Sequence, residues 1–328
     1  MKQDSNWVVV GYGMGAYHAR LISGTQGLNL FGICDTDSHK RERAKAEYPD
    51  AKIYSDFAQV LTDPKADGVV IVTPHNLHAP MAIQAMDAGK HVVTDKAMCL
   101  SVDEARRMIQ ARDRNGVLLS TFHNRRWDGD FLTVRRILED GLIGDLYHIQ
   151  SCVTGWGTPG GWRSDRTQMG GWLYDWGAHT LDQILLLARS QPVRVYAFAH
   201  HRPAGSSSVE DYIHCTVTFA SGLTAVTVIG YLNRIPMERW YVMGTRGTLA
   251  CSGFDGPVRL NTDLGSVTGE IAVPLLKGDW ASFYQNIAAF LAGDEELQVR
   301  PEELIPQIAI AEAAYQSIAS GTAVTLAI

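Results

Sequence analysis

The chain has 328 residues, 46% of them apolar and 20% charged, with a formal net charge of −6. That length exceeds what one hydrophobic core usually organises and points to about two domains. The mild charge, with both signs interspersed, argues against a nucleic-acid partner, and no apolar run approaches the ~18 residues of a membrane span.

The polar start, MKQDSNW, leads directly into an apolar run, so no signal peptide is expected. Cys34, Cys99, Cys152, Cys215 and Cys251 are scattered without a C-x-x-C pair. A disulfide framework or a zinc-thiolate site is therefore disfavoured, and a reducing cytoplasm is the expected location.

Short β-branched runs then alternate with helical patterns. Strands are predicted at 7–11, 28–35, 68–73, 91–94 and 117–122, with helices near 16–23, 38–48, 56–61, 78–88 and 101–115. The last helix has a capping box, Ser101 with Glu104, an apolar face of Val102, Ala105 and Ile109, and Gly116 to close it. Apolar strands alternating with helices read as a parallel sheet covered on both faces. Beyond residue 122 the texture changes. Helix patterns at 131–140 and 177–188 are followed by strands at 147–155, 193–200, 212–219, 223–232, 239–243 and 248–251, with a hairpin at Ala220-Ser221-Gly222. Helices at 280–292 and 302–320 finish the chain. The predicted class is α/β: a doubly wound parallel sheet over 1–122, then an α+β domain with an open, mostly antiparallel sheet over 123–328.

VVVGYGMGAYHARLI, residues 8–22, joins the first strand to the first helix. In a dinucleotide-binding turn the first glycine makes the tight bend and the second lets backbone approach the pyrophosphate. The third position must be small so that helix and strand can pack. Gly11-x-Gly13-x-x-Ala16 satisfies this with alanine at the third position, and Gly15 is an extra small residue where free amides favour an anion. Asp35 ends the second strand, placed to accept from the adenine-ribose hydroxyls and to repel a 2′-phosphate, which favours NAD over NADP. His39, Lys40 and Arg41 follow closely and keep NADP possible.

Doubly wound sheets present ligands at the carboxyl ends of their strands. Thr73-Pro74-His75-Asn76-Leu77-His78, Thr94-Asp95-Lys96-Ala97 and Thr121-Phe122-His123-Asn124-Arg125-Arg126 sit at such ends. The expected cofactor contacts are Gly11, Gly13, Met14, Gly15, Ala16, Asp35, Thr73, Pro74, His75, His78, Asp95 and Lys96. Further on, Asp175 and His179 lie four residues apart in Asp175-Trp176-Gly177-Ala178-His179 and can touch if the segment is helical. An aspartate that fixes a histidine tautomer suits a general base at neutral pH. Asp182 shares that face as an alternative buried partner. Metal sites built on Asp175 and His179, or on His75 and His78, lack a third ligand, so no metal is expected. Five of the eight tryptophans, Trp127, Trp156, Trp162, Trp172 and Trp176, fall in one stretch, which hints at a sugar pocket, with Trp162-Arg163 in a glycine-rich loop the best placed. Arg125, Trp162, Arg163, Asp175 and His179 are the expected substrate contacts.

These residues together resemble the glucose–fructose oxidoreductase, inositol dehydrogenase and rhizopine-catabolism family, Gfo/Idh/MocA. The likeness spans almost the whole chain: the glycine turn ending in His18-Ala19, T-P-x-x-x-H from Thr73 to His78, Ala88-Gly89-Lys90-His91-Val92 with the acid–lysine pair after it, Gly141-x-Ile143-Gly144, Asp175-x-Gly177-x-His179-x-x-Asp182 and the final helix. The resemblance implies a Rossmann domain followed by an open-sheet domain that commonly pairs subunits, here as a dimer or tetramer. It implies that Lys96 contacts the reacting hydroxyl and the nicotinamide ribose, and that Asp175 and His179 take the hydroxyl proton as hydride leaves. The chain departs from the pattern at Asp95-Lys96-Ala97, where the family usually has Glu-Lys-Pro, and in a Gly13-to-His18 spacing one residue shorter than in many members. The expected activity is NAD-dependent oxidation or reduction of a sugar, polyol or derivative. The rivals are a redox-neutral glycosidase and a non-catalytic dinucleotide sensor.

Overall fold

The computed structural model describes residues 4–158, 160–202 and 207–327; residues 1–3 of the polar start lie outside it. The chain divides into two compact units, Met1–His123 with Ala281–Glu303, and Asn124–Trp280 with Leu304–Ile328.

The first unit holds six parallel strands: β1 (Ser5–Val10), β2 (Leu28–Cys34), β3 (Lys52–Tyr54), β4 (Gly68–Ile71), β5 (His91–Thr94) and β6 (Leu119–Thr121). Between them run α1 (Gly15–Ser23), α2 (Ser38–Glu47), α3 (Phe57–Leu61), α4 (His78–Asp87) and α5 (Val102–Asn115). The strand order β3-β2-β1-β4-β5-β6 reverses between β1 and β4, the point at which a doubly wound sheet opens a crevice for a dinucleotide. Val8, Val9, Val69, Val70, Val92 and Val93 are fully buried, as continuous β-branched runs in a sheet covered on both faces should be. At α5, Ser101 Oγ accepts from the Glu104 amide at 3.1 Å, while the Glu104 carboxylate accepts from Leu100 N–H at 2.9 Å, one residue earlier than a capping box requires. Gly116 closes the helix at φ +62°.

The second unit contributes α6 (Gly129–Glu139), β7 (Leu146–Thr154), α7 (Arg166–Met169), α8 (Trp176–Ala188), β8 (Pro192–His200), β9 (Tyr212–Phe219), β10 (Thr224–Gly230), β11 (Trp240–Gly244), β12 (Gly247–Cys251), β13 (Val258–Leu264) and β14 (Val267–Val273). Its sheet, in the order β14-β13-β12-β11-β7-β10-β9-β8-β15, ends on the short β15 (Val324–Thr325). Only β7 and β10 run parallel; the other pairs are antiparallel. The helix α8 packs on β7 and β10, and α10 (Ile305–Ser320) packs on β8. On the other side, register places Tyr196, Thr216, Val226, Gln150 and Tyr241 in one row across five strands, with Tyr196 and Tyr241 exposed.

Three differences from the sequence reading stand out. The segment after residue 280 was expected in the second domain, but α9 (Ala281–Ala292) and the residues to Glu303 belong to the first unit. There Phe283 packs edge-on against Phe122 at 5.0 Å, and Ser120 Oγ donates to Val299 O at 2.8 Å. Apolar burial against the sheet decides this placement, which one-dimensional order cannot encode. The strand β3 is three residues long, too short for a period to emerge. The hairpin β13–β14 turns on Gly265 at φ +76° with Leu264 opposite Val267, and its alternation is faint because β14 leaves most of its residues exposed.

Candidate functional site

The bend after β1 needs glycine. Gly11 has φ +96°, and a Cβ there would lie 2.2 Å from Val72 O. At Gly13 a Cβ would meet nothing within 4 Å, so the space before the second glycine is open to a pyrophosphate. Helix α1 begins at Gly15, and a Cβ on Gly15 would lie 2.7 Å from Val9 Cγ1. Gly15, not the half-buried Ala16, is thus the close helix–strand packing position, which corrects the expected role of Ala16. Met14, the N-cap, is 59% exposed, and two first-turn amides bond locally, Ala16 N–H to Gly13 O at 3.5 Å and Tyr17 N–H to Met14 O at 2.9 Å.

Asp35 is buried at the end of β2. The Tyr12 amide donates to its Oδ2 at 2.6 Å and the Asp37 amide to its Oδ1 at 2.9 Å. Lys40 Nζ stands 3.6 Å from Oδ2, whereas Arg41 folds back to donate to the carbonyls of Asp35 and Thr36. Backbone amides therefore orient the carboxylate, with one lysine close by. The turn and this acid fit a dinucleotide.

After β4, Thr73 and Pro74 are half-buried and His75 is buried. His78 was expected to touch the cofactor, but it is fully buried, with Nδ1 2.6 Å from Ala97 O and Nε2 2.9 Å from Thr73 O. With both ring nitrogens facing backbone carbonyls, one of them as the neutral ring's single donor, His78 bridges the β4 and β5 loops and leaves no ring nitrogen for a ligand. Burial lowers its pKa below the ordinary histidine range, against the pull of the two carbonyls. Beyond β5, the Lys96 amide donates to Asp95 Oδ1 at 2.8 Å, Lys96 is half-buried, and the Lys96–Ala97 peptide is cis. His18 reaches the same rim from α1. Its Nδ1 lies 2.7 Å from the Tyr284 hydroxyl and its Nε2 lies 4.0 Å from Asp95 Oδ1, with Phe122 packed on the ring at 4.4 Å. Burial holds this imidazole below its usual range too.

In the second unit, Asp175 is the N-cap of α8, with φ −95° and ψ −90°, just before the helix that the sequence reading began at 177. A carboxylate suits that end, where the helix dipole is positive. Arg163 Nε donates to Asp175 Oδ2 at 2.9 Å, and its guanidinium lies over the Trp162 ring at 4.5 Å. Two expected substrate contacts, Trp162 and Arg163, are thereby tied to an expected catalytic residue. His179 lies one turn into α8, 5% exposed, with its ring 6.0 Å from Trp176. Asp182, considered as an alternative partner on the His179 face, is engaged by Arg126, whose Nε and Nη2 donate to its two oxygens at 2.8 and 2.6 Å in a buried fork.

Arg125, expected on substrate, stands in an aromatic cage. Its guanidinium lies over Trp176 at 4.5 Å, Phe254 at 4.9 Å and Trp280 at 5.3 Å, and Nη1 donates to Asp128 Oδ2 at 2.7 Å. Trp280 Nε1 also donates to Asp128, at 2.6 Å, and burial pushes this carboxyl up against the pull of Arg125. Arg125 therefore stacks on Trp176 while Asp128 holds its guanidinium.

The sequence reading missed Glu210. It is fully buried and accepts from the Trp172 amide at 2.9 Å, the Tyr315 hydroxyl at 2.7 Å and Arg166 Nη1 at 3.2 Å. Trp172 O in turn accepts from the amides of Asp175 at 3.2 Å and Gly177 at 2.9 Å. One carboxylate thus anchors the turn that delivers Asp175. Its partners are distant in sequence, and only an acid just before a strand marked it.

Comparison with known proteins agrees with these features. Residues 5–123 match the GFO/IDH/MocA family description "Oxidoreductase family, NAD-binding Rossmann fold", and residues 131–250 match the GFO/IDH/MocA C-terminal domain. The chain is 29% identical to scyllo-inositol 2-dehydrogenase (NADP(+)) of Bacillus subtilis, over 94% of this chain and 92% of that one. It is 30% identical to the oxidoreductase YdgJ of Escherichia coli, over 94% and 95%. Among solved structures, an NAD-binding protein from Listeria innocua superimposes with a TM-score of 0.91 at 32% identity, covering 99% of this chain and all of the other.

Proposed function

Because this chain belongs to the GFO/IDH/MocA family of NAD(P)-dependent oxidoreductases, we propose that it moves a hydride between the nicotinamide and a CH–OH or keto carbon of a sugar, polyol or sugar derivative. The observation that supports this reading is that one chain carries, in the first unit, a glycine turn open at Gly13 and a rim lysine, Lys96, and, within the second, a buried Asp175–His179 segment. The bound dinucleotide supplies the hydride acceptor, which no side chain can replace. Lys96 polarises the carbinol oxygen, and His179 takes its proton. Asp175, held by Arg163 at 2.9 Å, fixes negative charge at the start of α8, where it stabilises an imidazolium four residues on.

The inositol dehydrogenase relative supports a polyol substrate, and its NADP(+) dependence bears on the cofactor. Amide-oriented Asp35 supports NAD as the preferred form, with Lys40 close enough for NADP to be accepted at a lower rate. The exposed row from Tyr196 to Tyr241 is the surface through which two copies pair, as a homodimer or a dimer of dimers. No helix among the described residues is long and apolar enough to cross a membrane, and a cytoplasmic location is part of the proposal. The test is a panel of monosaccharides, inositols and sugar acids assayed at 340 nm with NAD and NADP in parallel. Substrate-dependent NADH accumulation supports the reading. Turnover without net NADH points to the redox-neutral alternative, and cofactor binding without turnover of any member overturns catalysis.

A further inference from the structure

We propose that Arg234, held against Trp156, receives the carboxylate or phosphate of an acidic sugar substrate; the inference deepens the oxidoreductase reading above and rests on it. Trp156 follows β7 and Arg234 follows β10, the one parallel pair of the second sheet, so both leave the same end of that sheet. An isolated bridge between Trp156 and Leu232 joins the two loops. Arg202 fastens them, donating through Nη2 to the carbonyls of Gly157 and Tyr231, and its charge is matched by Asp211 at 3.4 Å. Arg163, in the same stretch, is matched by Asp175.

Arg234 differs from both. Its Cζ lies 3.9 Å from the centre of the Trp156 ring, and among the described residues no carboxylate pairs with it. A guanidinium at stacking distance from an indole keeps its in-plane N–H fork for an oxyanion, and the ring limits the orientations it must give up on binding. The surroundings are those of a contact surface rather than of a solvated face: Trp156 is 54% exposed and Ile235 is 86% exposed. The patch also connects directly to the candidate catalytic segment. Tyr231, whose carbonyl Arg202 holds, packs on Trp172 with ring centres 4.7 Å apart, and Trp172 O accepts the Asp175 amide. This chain of contacts ties the loop that carries Arg234 to the turn that carries Asp175.

The test uses the NADH-saturated protein, titrated calorimetrically at low ionic strength with D-glucose, D-glucuronate and glucose 6-phosphate. At least one acid should bind about tenfold more tightly than glucose, as expected for a charge-assisted hydrogen bond. In Arg234→Gln that gain should shrink to less than about twofold with glucose binding unchanged. Glucuronate against glucose 6-phosphate tells carboxylate from phosphate. The proposal is overturned if neither acid outbinds glucose or if the preference survives Arg234→Gln. It is overturned equally if light scattering shows that Arg234→Gln only changes the oligomeric mass, which would assign the patch to contact between copies. Oxidation of neutral polyols with no acid preference would remove this inference and leave the oxidoreductase reading standing.

Discussion

Replacing Glu210 by glutamine changes one buried charge and almost no volume, so it isolates the electrostatic hold on the turn before α8. The carboxylate accepts from the Trp172 amide, the Tyr315 hydroxyl and Arg166. Hydrogen bonds to a charged group contribute about 1.5–3 kcal/mol each, against about 0.5–1.5 kcal/mol for neutral ones. The two bonds retained in weakened form thus lose roughly 1 kcal/mol each. The contact to Arg166, whose side chain is 39% exposed, adds less than about 1 kcal/mol after solvent screening. The sum, about 2–3 kcal/mol, is below the ~5–15 kcal/mol of an ordinary fold, so the variant should remain folded at 25 °C. Chemical denaturation should show this loss. Because Trp172 O holds the Asp175 amide, kcat should fall about tenfold, equivalent to ~1.4 kcal/mol in the barrier, with NADH affinity within about twofold of the parent. Tyr315→Phe, which deletes the donor to Glu210 and the acceptor of the Leu173 amide at 3.3 Å, should show the same pattern at about half the size. Unchanged kcat in a destabilised Glu210→Gln protein would refute the positioning role. Equal losses in kcat and NADH affinity would point to general damage.

Three further outcomes are expected. Gly15→Ala brings a methyl within 2.7 Å of Val9 Cγ1 and should destabilise by about 1–3 kcal/mol, while Ala16→Ser should stay within about 0.5 kcal/mol; denaturation midpoints in the opposite order would return the packing role to Ala16. Lys96→Met should bind NADH like the parent and lose most turnover, as read by fluorescence titration and steady-state rates, and full activity would end its assignment. His18 and His78 are held below the ordinary histidine range by burial, so the unfolded chain binds more protons than the native one beneath pH ~6.5. Their contribution is complete above that pH and is lost on acidification, with a slope approaching ~1.4 kcal/mol per pH unit for each histidine. Urea midpoints that stay level, or rise, from pH 7 to pH 5.5 would contradict this.

The polar interior of the second unit explains how a largely antiparallel sheet holds a precise rim. Arg239 is 2% exposed, donates to Ser151 and to Gln183 Oε1, and lies 3.2 Å from Asp130, which also accepts from Trp240 Nε1 at 2.8 Å. Gln183 passes the constraint on by donating to Arg125 O at 2.7 Å. Removing one member of such a network leaves a buried charge without its partner, a heavier cost than the loss of a surface pair. Substitutions at Arg239 or Asp130 should therefore act on the whole unit rather than on the site alone.

Local chemistry sufficed wherever the determining contacts are close in sequence. The glycine bend, Asp35 at the end of β2, the Ser101 cap and the periods of the longer helices and strands are set by backbone sterics, hydrogen bonding and periodic burial, all of which operate over a few residues. The pairing of the cap residue Asp175 with Arg163, the move of the third small position to Gly15 and the withdrawal of His78 into a backbone strap depended on partners that the chain order hides: Arg163, Val9 and Ala97. The return of α9 to the first unit and the anchoring of Asp175 through Glu210 required Phe122 and Tyr315, far away along the chain. Burial of an aromatic face or of a charge is satisfied by whatever surface tertiary folding brings alongside, and no local pattern specifies which surface that is.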